Sequence, residues 1–362
     1  MSGEISPKLV SWFANTAGQR YFNSEAKQTT NLASINLSKL SAFSIPISPA
    51  TEQRRLVDAI DEHFSRLDAA VAELERVRAN LKRYRAAVLK AACEGRLVPT
   101  EAELARAEGR QYESGEALLT RILTERDSLP ESARLMRAHR APKFSERISP
   151  DLDSLPKLQE GWCWASMAQL GLIQGGIQKQ PSRAPQCNAY PFLRVANVLR
   201  GSLDLTEMHQ VELFQGELDR LKLETADLLI VEGNGNPTEI GRMAIWNGTI
   251  SDCVHQNHII RVRPVQGILA EYIQAYWNSP GGSIRVTGVS SSTSGLHTLS
   301  VAKVASIPIP VPPLAEQERI VAEVERRLSV VDELQATVGA GLRRAARLRQ
   351  AILNPTSAGF SG

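Results

Sequence analysis

The chain has 362 residues, of which 43% are hydrophobic and 22% are charged, and its formal net charge is +3 at pH 7. This length and composition are typical of a globular protein with two or three domains. The sequence has no apolar run of about 18 residues, so it predicts no membrane-spanning helix. The first ten residues lack the pattern of a secretory signal. The small positive charge is compatible with a polyanionic partner but is weak evidence for one.

The four cysteines, Cys93, Cys163, Cys187 and Cys253, are far apart in the sequence. They form no Cys-x-x-Cys pair and no paired Cys/His spacing, so a zinc site has little support and we expect neither a metal nor a cofactor. Widely spaced cysteines in a long chain without a signal pattern are typical of reduced thiols. We therefore expect the protein in the cytoplasm, away from the membrane.

An internal repeat is the strongest signal in the sequence. Residues 45–60 (IPISPATEQRRLVDAI) and residues 309–324 (IPVPPLAEQERIVAEV) are identical at seven of sixteen positions without a gap. The same offset of 264 aligns Leu32 with Leu296 and Lys39 with Lys303. Each copy predicts a short strand-like stretch, a proline-rich turn and a long amphipathic helix.

Both long helices are predicted from apolar residues that recur at steps of three and four. Gly95 and Pro99 end the first helix, and the second, at about 314–353, is predicted to be interrupted by Gly339 and Gly341. Two matching stripes would bury each other, although a structural hairpin or a homodimeric coiled coil would explain a single stripe. The predicted packing positions are Leu56, Ile60, Leu67, Leu74, Ile320, Val324, Val331 and Val338.

A strand-rich region of mixed α and β structure is predicted to begin near Leu155, after a linker with a short helix at about 114–127. The basic run 134–143 in that linker is interpreted as solvated, with a phosphate contact as the alternative. The predicted strands are 192–198, 227–232, 242–246 and 258–262; the predicted helix is 268–280, and the predicted polar loop is 290–295.

Two polar segments of this region are candidate sites. Residues 233–237 (GNGNP) lack the ending of a phosphate-binding P-loop and are interpreted as a tight turn. The alternative is that Asn234 and Asn236 present amide groups to DNA bases. A strand would place His255 and His258 on opposite faces, so a polar network along the sheet is favoured over a metal site.

Several stretches, taken in order, resemble the specificity subunit of type I restriction-modification systems. The resemblance covers essentially the whole chain. The stretches are FLRVANV (192–198), DLLIVEGNGNPTEIGRMAIW (227–246), HQNHIIRVRP (255–264), TSGLHTLSVAKVASIPIPVPPLAEQERIV (293–321) and the first copy of the repeat at 46–57.

The resemblance implies an α+β protein without catalytic residues. It would consist of a mixed α/β target recognition domain and a long antiparallel two-helix coiled-coil spacer. In this family two recognition domains each read half of a bipartite DNA site, and the paired helices set the gap between the halves. We therefore expect three partners: double-stranded DNA, methyltransferase subunits docked on the helices, and the restriction subunit, in a complex that directs methylation and restriction.

The resemblance divides the chain into a remnant of the first recognition domain, a first conserved helix, a linker, the second recognition domain, a second conserved helix and a tail. These segments are 1–48, 49–99, 100–154, 155–312, 313–354 and 355–362, in that order. By the offset of 264, residues 1–44 match only the last part of a recognition domain. The sequence thus predicts a subunit truncated at its start that reads one half-site.

Recognition domains of this kind read bases through a few polar side chains in loops. The candidates near predicted loops and strand ends are Gln178, Lys179, Arg194, Asn197, Asn234, Asn236 and Asn257. Two alternative functions remain. A DNA-modifying enzyme would carry a motif such as [DNS]PP[YFW], but residues 236–239 (NPTE) lack its second proline and aromatic residue. A non-functional or purely structural coiled-coil fragment would leave the strand-rich region unexplained.

Overall fold

A computed structural model divides the chain into two compact units. The first unit consists of Met1–Arg83 and Val330–Gly362, and the second of Tyr84–Ser329. No helix within the described part of the chain is long and apolar enough to cross a membrane. The described residues are 5–29, 32–128, 150–234, 239–293 and 296–353.

Two long helices and several small antiparallel sheets confirm the predicted α+β class. The helices are α1 (Pro7–Ala14), α2 (Ala17–Glu25), α3 (Leu37–Ser41), α4 (Ala50–Cys93), α5 (Glu101–Glu108), α6 (Gly115–Ser128), α7 (Met167–Leu170), α8 (Glu217–Leu221), α9 (Ala270–Trp277), α10 (Pro280–Val289), α11 (Val301–Ser306) and α12 (Leu314–Leu353). The strands are β1 (Lys27–Thr29), β2 (Leu32–Ser34), β3 (Cys163–Ser166), β4 (Gly171–Gly175), β5 (Ala189–Leu193), β6 (His209–Glu212), β7 (Leu228–Val231), β8 (Gly233–Asn234), β9 (Met243–Ile245), β10 (Val254–His255), β11 (Ile259–Pro264), β12 (Ser291–Thr293), β13 (Leu296–Thr298) and β14 (Pro308–Val311).

The core of the second unit is a four-stranded antiparallel sheet in the order β4-β11-β7-β9. All four residues of β7 are buried, as expected for a strand covered on both faces. Leu118 and Ile122 of α6 and Tyr272 and Trp277 of α9 belong to the same hydrophobic core. The polar sequence between the repeats therefore includes a helix that packs on β3 and β14 and joins this core through its few apolar residues.

Several short helices and strands differ from those predicted from the sequence, because they depend on single caps, turns or strand partners. α5 was not predicted; it begins at a capping box formed by Thr100 and Glu103. The predicted strand 192–198 ends at Leu193, where a 3-10 turn begins. The predicted helix 268–280 is two helices, because Ser279 caps a new one that starts with proline. In the predicted polar loop 290–295, β12 pairs with β13.

The sequence repeat is also a repeat of structure. The elements α1, α2, β1, β2, α3 and α4 begin within one residue of the start of α9, α10, β12, β13, α11 and α12 when 264 is added. The helix starts also share a hydrogen bond. Gln53 Nε2 donates to the Ser48 carbonyl over 2.8 Å, and Gln317 Nε2 donates to the Pro312 carbonyl over 3.1 Å.

The long helices pack antiparallel in the first unit. Gly341 lies against Leu74, whereas Arg349, eight residues later, pairs with Asp68 over 2.7 Å and stacks on Phe64. Among the predicted packing positions, Val331 and Val338 are buried and spaced by one heptad. Ile60 is also buried, and Leu56, Leu67 and Leu74 are half-buried. Ile320 and Val324 are buried in the core of the second unit instead.

The predicted interruption of the second helix at its glycines is wrong, because α12 is continuous from Leu314 to Leu353. Gly341 has a packing role instead. A Cβ atom at this position would lie 3.1 Å from Leu74 Cδ1, whereas one at Gly339 would lie 3.5 Å from the guanidinium of Arg343, at the end of a flexible side chain. The absence of a side chain at 341 thus lets the two helices approach closely.

A polar network lies at the edge of the core sheet in the second unit. The fully buried Asp227 accepts hydrogen bonds from Arg263 Nε and Nη2 over 2.7 and 2.8 Å. Arg261, also buried, donates to the Lys222 carbonyl and to Gln174. His255 Nδ1 lies 3.0 Å from the Ile259 carbonyl and therefore carries the proton. Burial, reinforced by the nearby charge of Arg261, lowers the pKa of His255 to about 3.

The two glycines of α12 should respond differently to alanine. Gly339→Ala should raise the free energy of unfolding by about 0.5–1 kcal/mol, because glycine loses more conformational freedom in a helix. Gly341→Ala should gain less or be destabilising, because Leu74 must move to admit the methyl group. Urea unfolding of both variants measures the difference. An equal gain at the two positions would contradict the close packing of Gly341 on Leu74.

The buried His255 should make stability depend on pH. Its pKa in the folded protein lies below the ordinary value of 6.5, so the unfolded chain binds more protons between pH 6.5 and about 3. Its contribution is therefore complete above pH 6.5 and is lost on acidification, by about 1.4 kcal/mol per pH unit.

His255→Asn, which keeps a donor near the position of Nδ1, should flatten this decrease between pH 6.5 and 5 in urea unfolding series. His258→Asn is the matched control, since His258 is exposed and the variant leaves His255 in place. If the His255→Asn chain loses stability with acid as steeply as the control, His255 is not the group responsible.

Candidate nucleic-acid interface

The loop between β4 and β5 is fixed to the sheet by a close approach of two backbones. A Cβ atom on Gly176 would lie 2.1 Å from the His255 carbonyl oxygen, so only glycine fits there. The next residue, the buried Ile177, donates its N–H to the same carbonyl over 2.8 Å and accepts from the Asn257 N–H over 2.9 Å. The loop therefore leaves the sheet at a defined position.

Three of the candidate residues are adjacent at this anchor. Gln178 and Lys179 directly follow Ile177 and are exposed. Asn257, on the turn before β11, is half-buried and is joined to Ile177 by the hydrogen bond of its backbone. Lys179 has no ion-pair partner among the described residues, so its charge is available to a ligand. Two residues with amide side chains and one cation thus lie beside the same backbone hydrogen bonds.

A groove of about 740 Å³ continues from Lys179 across β5 and β6. Its polar residues include Gln180, His209 and Gln210, and Phe192 and Met208 supply apolar surface. Sequence reasoning missed these polar residues, because the short stretch 209–212 shows no clear strand pattern. The mixture of amide, imidazole and apolar groups could contact base edges and the thymine methyl group.

Arg183 in the same groove has a structural partner. Its guanidinium donates to both carboxylate oxygens of Glu217 over 2.7 and 2.8 Å and stacks over the ring of Phe214. This hydrogen-bonded pair lowers the pKa of Glu217. Since both side chains are largely buried, the ion pair shapes the wall of the groove and leaves Lys179 as the exposed cation.

Asn197 cannot serve as the base contact that was predicted. It is buried, its Oδ1 accepts from the Arg194 N–H, and its Nδ2 donates to the carbonyls of Asp204 and Glu207. These bonds use the amide to hold the 3-10 turn after β5. Arg194, in turn, pairs with Glu207 over 3.0 Å and is partly exposed. Its guanidinium would have to leave this carboxylate to contact DNA.

The remaining candidates belong to a different sheet or lie outside the described residues. Asn234 is in β8, which pairs with β13 in a sheet with β12, and residues 235–237 of the predicted turn lie outside the described residues. Asn236 lies outside the described residues.

His255 is buried in the polar network, whereas His258 is exposed and pairs with Glu232. Within the described ranges, no three His, Cys, Asp or Glu side chains are grouped to hold a metal ion.

The chain is similar to one family model and to individual proteins of the same kind. Residues 175–337 match the family model of the type I restriction modification DNA specificity domain. The type I restriction enzyme EcoKI specificity subunit of Escherichia coli (strain K12) is 25% identical over 350 residues, which are 95% of this chain and 63% of that protein. The StySPI specificity subunit of Salmonella potsdam is 24% identical over 353 residues, which are 96% of this chain and 64% of that protein. The chain therefore spans less than two thirds of either relative.

The fold is also shared with a solved structure. A chain from a study of complex assembly and conformational transition of the type I R-M system has a TM-score of 0.55 and 19% sequence identity, covering 96% of this chain and 70% of that chain. Residues 175–337 thus match a type I restriction modification DNA specificity domain, and the chain as a whole is similar to specificity subunits of type I restriction enzymes in sequence and in fold.

Proposed function

We propose that this chain recognises a DNA sequence for a type I restriction-modification complex through the loop anchored at Gly176 and the groove beside it. The observation that supports the proposal is that Gln178, Lys179 and Asn257 lie next to the backbone hydrogen bonds that fix Ile177 to the sheet. Amide side chains can form two hydrogen bonds with adenine, and a free lysine can contact a phosphate. This domain would read one contiguous half-site.

The same proposal gives the long helices a docking role. Methyltransferase subunits would bind the pair formed by α4 and α12, and the restriction subunit would join through the complex. The similarity to the EcoKI and StySPI specificity subunits supports this arrangement. In this proposal the chain acts in the cytoplasm, supplies no catalytic step, and directs the methylation and restriction performed by its partners.

The proposed roles of the three residues can be separated by DNA binding. Gln178→Ala and Asn257→Ala should each weaken binding of the selected sequence by about 1–3 kcal/mol, because each removes a base contact, and should leave non-specific binding almost unchanged. Lys179→Ala should weaken all sequences alike and reduce the slope of log affinity against log salt by about 1. Selection from random duplexes, followed by fluorescence anisotropy over a salt series, measures both effects.

Gln215→Ala is a suitable control, because Gln215 is exposed and does not line the groove. The control should bind like the parent chain. If Gln178→Ala and Asn257→Ala lose specific and non-specific binding in equal measure, the amides do not read bases. If the parent chain shows no DNA binding at all, alone or with methyltransferase subunits, the scaffold alternative is correct.

A further inference from the structure

A carboxylate faces an arginine at one end of the sheet that forms the floor of the groove. β5 pairs with β6 in a register that sets Phe192 opposite His209. Two residues further along each strand direction, Arg194 comes opposite Glu207, and their side chains form an ion pair. His209 itself lines the groove, so this ion pair lies directly beside it.

The other neighbour of β5 joins the same end of the sheet to the anchored loop. The Gln256 N–H donates to the Leu193 carbonyl over 2.9 Å, and Gln256 also forms a parallel bridge with Ile177. Arg194 therefore follows a residue that is bonded to the turn carrying Asn257. The ion pair thus borders the surface that we propose to face DNA.

Arg194 and His209 converge on a single oxygen atom. Arg194 Nη2 donates to Glu207 Oε1 over 3.0 Å, and His209 Nε2 lies 3.1 Å from the same oxygen. The hydrogen bond with His209 and the nearby charge of Arg194 hold the pKa of Glu207 below its usual range, so the carboxylate is ionised. Guanidinium and imidazolium groups make the same charge-assisted hydrogen bonds with phosphate as with a carboxylate.

The carboxylate is the exchangeable member of this cluster. The Glu207 side chain is 75% exposed, whereas that of Arg194 is 28% exposed and that of His209 is 36% exposed. An exposed ion pair stabilises a protein weakly, because water solvates the separated groups almost as well. Another oxyanion could therefore replace the Glu207 carboxylate without disturbing a buried group.

The backbone around the cluster is held by a buried amide. Asn197 Oδ1 accepts from the N–H of Arg194 over 2.8 Å, and Asn197 Nδ2 donates to the carbonyl of Glu207 over 3.0 Å. The two segments that carry the guanidinium and the carboxylate are thus joined independently of their ion pair. Arg194 therefore keeps its place when its side-chain partner changes.

The charge of Glu207 is opposite to that expected beside bound DNA. Among the described residues that line the groove, the side chains of Lys179, Arg183 and His209 are basic and none is a carboxylate. Arg183 is already paired with Glu217. A carboxylate that stayed at this border would repel the DNA backbone. Its position between two donors is, however, one that a phosphate could occupy.

We propose that the carboxylate of Glu207 occupies the site of a DNA backbone phosphate, and that a phosphate displaces it to bind between Arg194 and His209. The inference rests on the proposed function, to which it adds a phosphate site and an intramolecular competitor. The competitor lowers the affinity for every sequence, because the ion pair is broken whenever the phosphate binds. Phosphate contacts carry no sequence information, so this site sets affinity and the position of the duplex.

The test measures binding of a selected duplex and a random duplex by fluorescence anisotropy over a salt series. Glu207→Gln should tighten binding of both duplexes by about fivefold, because a neutral amide competes less with phosphate. Arg194→Ala should weaken both and lower the slope of log affinity against log salt by about 1, as for the loss of one phosphate contact. In a chain that already carries Arg194→Ala, Glu207→Gln should have a much smaller effect.

Glu160→Gln is the matched control. Glu160 is an exposed glutamate of the same unit that pairs with Arg106 over 2.7 Å and does not line the groove. Its substitution changes the net charge by the same amount as Glu207→Gln, and it should leave both affinities unchanged. An equal gain in the two variants would be a general effect of charge and would overturn the proposal.

The phosphate itself can be located by neutralising one phosphate at a time. Selected duplexes that each carry a single methylphosphonate linkage lose one backbone charge. At one linkage, the substitution should weaken binding by the parent chain but not by the Arg194→Ala chain. If no linkage behaves in this way, Arg194 does not bind a phosphate and the proposal is wrong.

Failure of this site and failure of the proposed function give different results. If the parent chain binds no duplex, both are wrong. If the parent binds the selected duplex and Glu207→Gln leaves the affinity unchanged, only the phosphate site is overturned. If Glu207→Gln weakens binding of the selected duplex alone, the phosphate site is again overturned, because Glu207 then positions Arg194 for a base contact.

Discussion

The buried carboxylate of Glu316 is the interaction on which the second unit depends, because it joins three elements that are distant in sequence. It accepts from Trp162, next to β3, and from the first residue of α5, while the residue itself belongs to α12. Burial raises the pKa of Glu316, and the two N–H donors act in the opposite direction. A buried carboxylate is tolerated only when its acceptor sites are filled, so this junction requires the strand and both helices to be in place together.

The loop that we propose to read DNA is anchored on the polar network around His255. Gly176 lies against His255, whose own ring is held by the Ile259 carbonyl and lies near Arg261. A polar network in a core restricts its members to one arrangement when their hydrogen bonds are made. The residues that we propose to contact bases are therefore exposed side chains on a backbone fixed by buried ones. Because the buried residues fix the backbone, the exposed residues can vary without loss of the fold.

The sequence predicted those features that depend on periodicity or repetition. The two long helices and their offset of 264 follow from apolar spacing over some forty residues, and α12 shows that a continuous stripe outweighs two glycines. Short elements such as α5 and β12 depend on single caps and strand partners, which are weak signals in a sequence. The residues of the candidate site were harder to predict from the sequence. Asn197 looked like a base contact because polarity does not reveal burial, and His209 and Gln210 join Lys179 through strand pairing of residues far apart in the chain.

The two copies of the repeat share their local structure but differ in the burial of one carboxylate. Comparing them shows which contacts come from within the repeat and which come from other segments. Gln53 and Gln317 make the same hydrogen bonds because their partners lie just before the long helix and at the start of α1 or α9, which both copies contain. Glu52 and Glu316 differ because the partners of Glu316 are Trp162, next to β3, and the first residue of α5. The local sequence is therefore sufficient for the shape of the helix start, whereas burial of its carboxylate requires a strand and a tryptophan from another segment.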